Sequence, residues 1–276
     1  MLQIKTILFF AFLSFLAFWL VKRLRYFEDP YQAREPFVCP KISWLQLCIA
    51  FILYFAAFFW GGVILNSLRL VTASKNGLAS LQLLLLSCTA ATLYVFYKLQ
   101  KDRVNARAIF KTPPLFSSPL QCLQIAIFSF ILAFPFITFV GELVNTLLYL
   151  IFGVFEYEQL AVYYLRMSSG FPLFVALFTI VLFAPITEEF LFRGLLFNCL
   201  ERKLGRTKGL MLSSLCFAGF HFSSSQGLGN ISILFSLFVL SIFLGYIYRR
   251  ERSLVAPIAL HMLFNTVGTL RILYTS

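Results

Sequence analysis

The chain has 276 residues, of which 60% are hydrophobic, 18% aromatic and only 12% charged, and its mean hydropathy is +0.86. These values exclude an ordinary soluble domain and call for a chain that crosses a bilayer several times. The net charge of +12, from 23 Lys and Arg against 11 Asp and Glu, sits in short loops between apolar runs, which is the positive-inside pattern of membrane proteins and excludes a nucleic-acid-binding face.

About eight spans of ~20 residues fit the bilayer thickness. The first, 6–21, resembles a secretory signal in length, but no small-residue cleavage pattern precedes Lys22-Arg23-Leu24-Arg25, so it is read as a retained span with its C-terminal end in the cytoplasm. Spans at 44–66, 79–97 and 119–140 follow. Residues 143–155 are apolar but short and run into Glu156-Tyr157-Glu158, which predicts an interfacial or re-entrant helix. The segment 171–200 is expected to form one span kinked at Pro185, since neither half would cross alone. The last three spans are placed at 210–226, 231–248 and 254–273. The loops 22–43, 98–118, 201–209 and 249–253 carry most of the cations and are assigned to the cytoplasm, with both termini outside.

The expected fold is therefore an all-α polytopic helix bundle with a four-helix catalytic core in its C-terminal half. The Pro-rich stretch Thr112–Pro119 marks a boundary between N-terminal transmembrane helices, 1–118, and a C-terminal transmembrane region, 119–276. Six scattered cysteines without C-x-x-C spacing argue against a disulfide framework or a thiolate zinc site. No address specifies an organelle, and a bacterial inner membrane is the default location.

The chemistry lies in the last four spans. Glu188 and Glu189 are adjacent carboxylates inside a thirty-residue apolar run. An ionisable group at that depth is tolerated mainly where it faces a protein interior or a water-filled cavity. Glu189 and Arg193 are one helical turn apart and can neutralise each other, while Glu188 points about 100° away around the helix. The two histidines of the chain, His221 and His261, both fall in apolar segments, and Asn265 lies one turn beyond His261. At ~1.5 Å per residue from the cytoplasmic end of each span, Glu188 lies ~20 Å deep, His221 ~17 Å, His261 ~12 Å and Asn265 ~18 Å, so the four can converge. Phe217, one turn before His221, is read as a packing residue.

A buried carboxylate can act as general base toward water, an imidazole can position that water or pass a proton to a leaving amine, and a second His with an amide can stabilise an oxyanion. That is equipment for peptide hydrolysis without a covalent intermediate. Glu188, His221 and His261 are also a possible His₂Glu zinc set, although H-E-x-x-H is absent. Intramembrane carboxylates and histidines equally suit a proton-coupled transporter, without the inverted repeat that such folds often carry.

Glu188-Glu189-x-x-x-Arg193, Phe217-x-x-x-His221 and His261-x-x-x-Asn265, in that order within about 170–273, resemble the CPBP family of intramembrane proteases, the CAAX prenyl protease 2 or Abi family, which also contains bacteriocin-processing and immunity proteins. The resemblance implies a membrane endopeptidase acting on a CAAX-like or other membrane-associated peptide, prenylated substrates included, in a cavity open to the cytoplasm. By motif position Glu188 would activate water with His221 as partner, His261 and Asn265 would bind the oxyanion, and Glu189 and Arg193 would support Glu188. The resemblance leaves open glutamate or zinc chemistry, and a non-proteolytic immunity protein remains the alternative.

Overall fold

The computed structural model describes residues 2–26, 39–67, 87, 89–100, 102, 107, 109–110, 118–153, 165, 169–251 and 253–275. The chain is an all-α polytopic bundle. Its helices are α1 (Leu2–Arg23), α2 (Trp44–Ser67), α3 (Pro119–Phe152), α4 (171–204), α5 (Arg206–Phe220), α6 (Gly229–Glu251) and α7 (Val255–Thr275), with a further helical piece at 89–98. Among the described residues six helices are long and apolar enough to cross a membrane, namely α1 to α4, α6 and α7.

Two expectations are revised. The predicted span 210–226 is instead the fifteen-residue α5, which ends at Phe220 with His221 as its C-cap; Ser223-Ser224-Ser225 and Gly227 turn the chain before α6 can start. The predicted break between 140 and 143 does not occur: α3 runs unbroken for 34 residues. Nothing in 140–152 removes a backbone donor, and the helix stops only at Gly153, whose φ of 92° is a conformation that glycine adopts without strain. At ~1.5 Å per residue α3 is ~51 Å long, well beyond a ~30 Å hydrocarbon core. Of the predicted span 79–97, residues 79–86 and 88 lie outside the described residues, and 89–97 are helical.

The four cation-rich connections meet at one end of the bundle. The Tyr26 carbonyl accepts from Tyr246 Oη at 2.6 Å and Arg250 Nη1 at 3.1 Å. Arg249 Nε bonds Glu201 Oε1 at 2.7 Å, Tyr248 Oη donates to the Ile109 carbonyl, and Leu254 N–H donates to that of Phe110. Gly205, with φ 79°, makes the tight reversal from α4 to α5 at this end.

Two apolar clusters pack the helices around the C-terminal spans, and a third joins Ala17 and Val21 of α1 to Leu132 of α3 and Tyr246 of α6. Of the first two, one joins Leu47 and Ala50 of α2 and Leu93 and Phe96 of the 89–98 helix to Leu191, Phe192 and Leu195 of α4 and Phe217 of α5. The other joins α3, α6 and α7 through Ala126, Ala133, Leu244, Ala256 and Leu260. Lipid is as apolar as leucine, so helix association here depends on close van der Waals packing and interhelical hydrogen bonds, and small residues at these contacts permit it.

Candidate active site

Helix α4 carries the carboxylates, and it is not a uniform α-helix. Residues Thr179–Phe183 and Phe190–Phe197 form wide π-turns on either side of the α-helical Ala184–Glu189. Pro185 accounts for the first. In the π-ladder the Ala184 N–H reaches the Thr179 carbonyl, so the next carbonyl, Ile180, faces Pro185, which has no N–H to give. Asn265 Nδ2 on α7 donates to that carbonyl at 2.8 Å. The second π-turn is met by Asn198, whose Nδ2 lies 3.0 Å and 2.9 Å from the carbonyl oxygens of Arg193 and Gly194 and 2.7 Å from Tyr248 Oη. Both distorted turns are thus supported by side-chain amides.

Glu189 and Arg193 form the expected internal pair, Nη1 to Oε1 3.0 Å, both side chains fully enclosed. Arg193 is fixed on two further sides: Nη2 donates to Ser241 Oγ at 2.8 Å on α6, and its guanidinium lies 4.4 Å over the ring of Phe217, an arrangement favoured by the ring quadrupole. Phe217 therefore does more than fill space. The same Glu189 oxygen accepts from His261 Nδ1 at 2.9 Å, which leaves Nε2 of the neutral ring as a lone-pair acceptor.

That Nε2 lies 3.9 Å from Glu188 Oε2, and His221 Nε2 lies 3.5 Å from the same oxygen. His221 Nδ1 donates to the Phe217 carbonyl at 2.9 Å, so its Nε2 too is the free nitrogen of the neutral ring. Glu188 Oε2 is buried with no hydrogen-bond partner; both imidazole distances exceed a good hydrogen bond. Side-chain exposure rises from 0% at Glu189 and 4% at His261 to 13% at Glu188 and 28% at His221. The constellation opens at His221, where α5 ends and non-helical backbone begins. Irregular backbone at membrane depth is tolerated where it is covered by protein or lines a polar cavity, and Asn230 secures it by bonds to Ser223 N–H, Ser223 carbonyl and Gly227 carbonyl.

Of the residues singled out from sequence, Glu188, Glu189, Arg193, His221 and His261 come together. Asn265 is committed through one amide hydrogen to Ile180. All six lie within residues 170–267, which match the family described as type II CAAX prenyl endopeptidase, Rce1-like. By that match this part of the chain is similar to CAAX-protease-family domains. A protein of Escherichia coli described as an uncharacterized 24.3 kDa protein is 34% identical over 98 residues, covering 35% of this chain and 43% of its own. The match thus spans less than half of that relative. No solved structure matches the chain.

The donor types at this site suit zinc, with Glu189 behind His261 as the kind of carboxylate that orients a ligating imidazole. Their placement does not: among the described residues no three His, Cys, Asp or Glu side chains are grouped to hold a metal ion. Sequence reasoning missed Ser241, Asn198 and Tyr248, polar residues in apolar helices whose facing is decided only by packing. It also missed Tyr54 of α2, whose ring packs 5.5 Å from Phe220, the residue before His221.

Proposed function

We propose that the chain is an intramembrane endopeptidase that hydrolyses a peptide bond with water activated by Glu188. The observation that carries this reading is the division of labour between adjacent carboxylates: Glu189 is held through Oε1 by the Arg193 charge and by His261 Nδ1, while Glu188 faces the free nitrogens of two imidazoles through Oε2 and has no cation paired with it. Water entering beside His221 donates one hydrogen bond to Glu188 and attacks the carbonyl carbon as Glu188 takes its proton. His221, held through Nδ1, orients that water through Nε2. The C–N bond then breaks, and the proton held by the Glu188–His221 pair passes to the amine nitrogen. When the His261 ring carries both protons, its Nε2–H donates to the oxyanion while Glu189 holds Nδ1. The free hydrogen of Asn265 Nδ2 is a second donor.

The catalytic unit in this reading is 170–273 within 119–276, and 1–118 forms a wall around it. The substrate is a membrane-associated peptide with an apolar or lipidated end. A largely apolar cleft of about 270 Å³, lined by Ala90, Leu93, Phe110, Ile186, Thr187 and Phe190, reaches the residue next to Glu188 and can hold such an end. The basic end of the bundle faces the cytoplasm.

The test is cleavage of a fluorogenic prenylated CAAX peptide and its unprenylated counterpart by purified wild type and Glu188→Gln. Cleavage of either peptide that disappears in Glu188→Gln supports the reading. Cleavage that persists in Glu188→Gln overturns it, and cleavage of neither directs attention to proton-coupled uptake in proteoliposomes.

A further inference from the structure

The described centre is rich in acceptors. Glu188 Oε2 and the Nε2 atoms of His221 and His261 face one another, and Asn265 gives one amide hydrogen to Ile180. A carbonyl oxygen gaining negative charge needs donors already in place. Much of the adjoining wall is Phe192, Phe217 and Phe220, the first in ring contact with each of the other two, and it has no side-chain donor to give.

Tyr54 approaches over this wall from outside the region that matches the family. Its ring packs on Phe220, which in turn lies 5.9 Å from the His221 ring. Its hydroxyl has no hydrogen-bond partner among the described residues, and these contacts put the Tyr54 ring one side chain away from His221, the most exposed member of the site. Packing alone does not explain the hydroxyl. Neighbouring positions of α2 make equivalent contacts with plain phenyl rings, Phe51 on Phe192 at 5.7 Å and Phe55 on Phe220 at 5.7 Å.

We propose that Tyr54 is a further catalytic residue, its O–H donating a hydrogen bond to the substrate carbonyl oxygen as water adds to the carbonyl carbon. This rests on the hydrolytic reading above. In the step, the C–O bond to water forms, the carbonyl π-pair moves onto oxygen, and Glu188 takes the water proton. Tyr54 keeps its own proton throughout and returns to its resting state when the C–N bond breaks and the carbonyl re-forms. The N-terminal helices then contribute chemistry as well as a wall.

The experiment compares wild type, Tyr54→Phe and Glu188→Gln on the same fluorogenic peptide, with melting temperature and inhibition by a peptidyl phosphinate that mimics the tetrahedral intermediate. Tyr54→Phe is expected to lower kcat by about 10²-fold, the loss typical of one oxyanion donor, with KM and melting temperature unchanged. Phosphinate binding should weaken by a similar factor, because the analogue carries the oxygen that Tyr54 addresses. Wild-type kcat in Tyr54→Phe, or a loss of kcat matched by a loss of thermal stability, overturns the assignment of Tyr54 while Glu188-dependent cleavage stands. Absence of Glu188-dependent cleavage in the wild type removes the hydrolytic reading, and the role of Tyr54 with it.

Discussion

Helices α1 and α2 on one side and α4 and α6 on the other are similar in hydropathy, yet they are used in opposite ways. Only 17% and 12% of the span residues of α1 and α2 are buried, against 33% and 50% in α4 and α6. The first pair presents Phe12, Phe15, Trp19, Ile52 and Trp60 outward, where lipid covers them. The second pair encloses charge: Glu189 and Arg193 are sealed between α4, α5, α6 and α7, with a partner for each on a different helix. A charge at this depth is affordable only inside such a ring of partners. Hydrophobicity alone therefore does not separate a lipid-facing wall from a working core; the placement of polar residues does.

The sharpest way to break this comparison is at Glu188. Replacing it with Gln keeps shape and removes the base, and cleavage should fall by more than ~10³-fold with insertion and melting temperature preserved. Full activity in purified Glu188→Gln would show that the core holds charge for structure alone. His221→Ala should cost about 10²-fold in kcat, read in the same assay, because the water loses its orienting nitrogen. Stability provides the next contrast. Arg193→Ala strands Glu189 and should cost about 3 to 5 kcal/mol, the usual penalty for breaking a buried pair, whereas Phe15→Ala on the outer face of α1 should stay within about 0.5 kcal/mol. Thermal unfolding in detergent measures both, and equal losses would erase the distinction between wall and core. Ala90→Phe, which fills the cleft beside Phe190, should raise KM by about ten-fold at constant kcat, equivalent to about 1.4 kcal/mol of lost binding. The smallest expected effect is none: chelator should leave the rate unchanged, and inhibition reversed by added zinc would require the donors to close around a metal.

Much of the core was legible in the chain. The apolar runs fixed the helical class. The i, i+4 spacing identified the Glu189–Arg193 pair, and depth arithmetic brought Glu188, His221 and His261 to one level. The end of α5 at His221 was less legible because Phe222 extends the apolar run; the Ser223–Ser225 cluster and Gly227 were the available turn signals. The continuation of α3 to Phe152 was hidden by its length, which exceeds what a bilayer needs. Ser241, Asn198 and Tyr54 could not be placed, because a polar residue in an otherwise apolar helix has no periodicity of its own to show which neighbour it meets. The π-turns had one marker, Pro185, and it signalled a kink without specifying an inserted residue.

The wide turns of α4 set a constraint on chain length as well as on residue type. A π-turn amounts to one residue added to an α-helical frame, so removing any one residue between Phe190 and Phe197 would restore the tighter winding and rotate one side of the helix against the other by about 100°. The carboxylates would keep their place while Asn198 and the contacts beyond it turned away from Tyr248, or the reverse. Substitutions in this stretch can be graded by size and polarity, but a single-codon deletion is a change of phase, and variation in the number of residues between Glu189 and Asn198 should be rejected even where the lost residue is an unremarkable leucine.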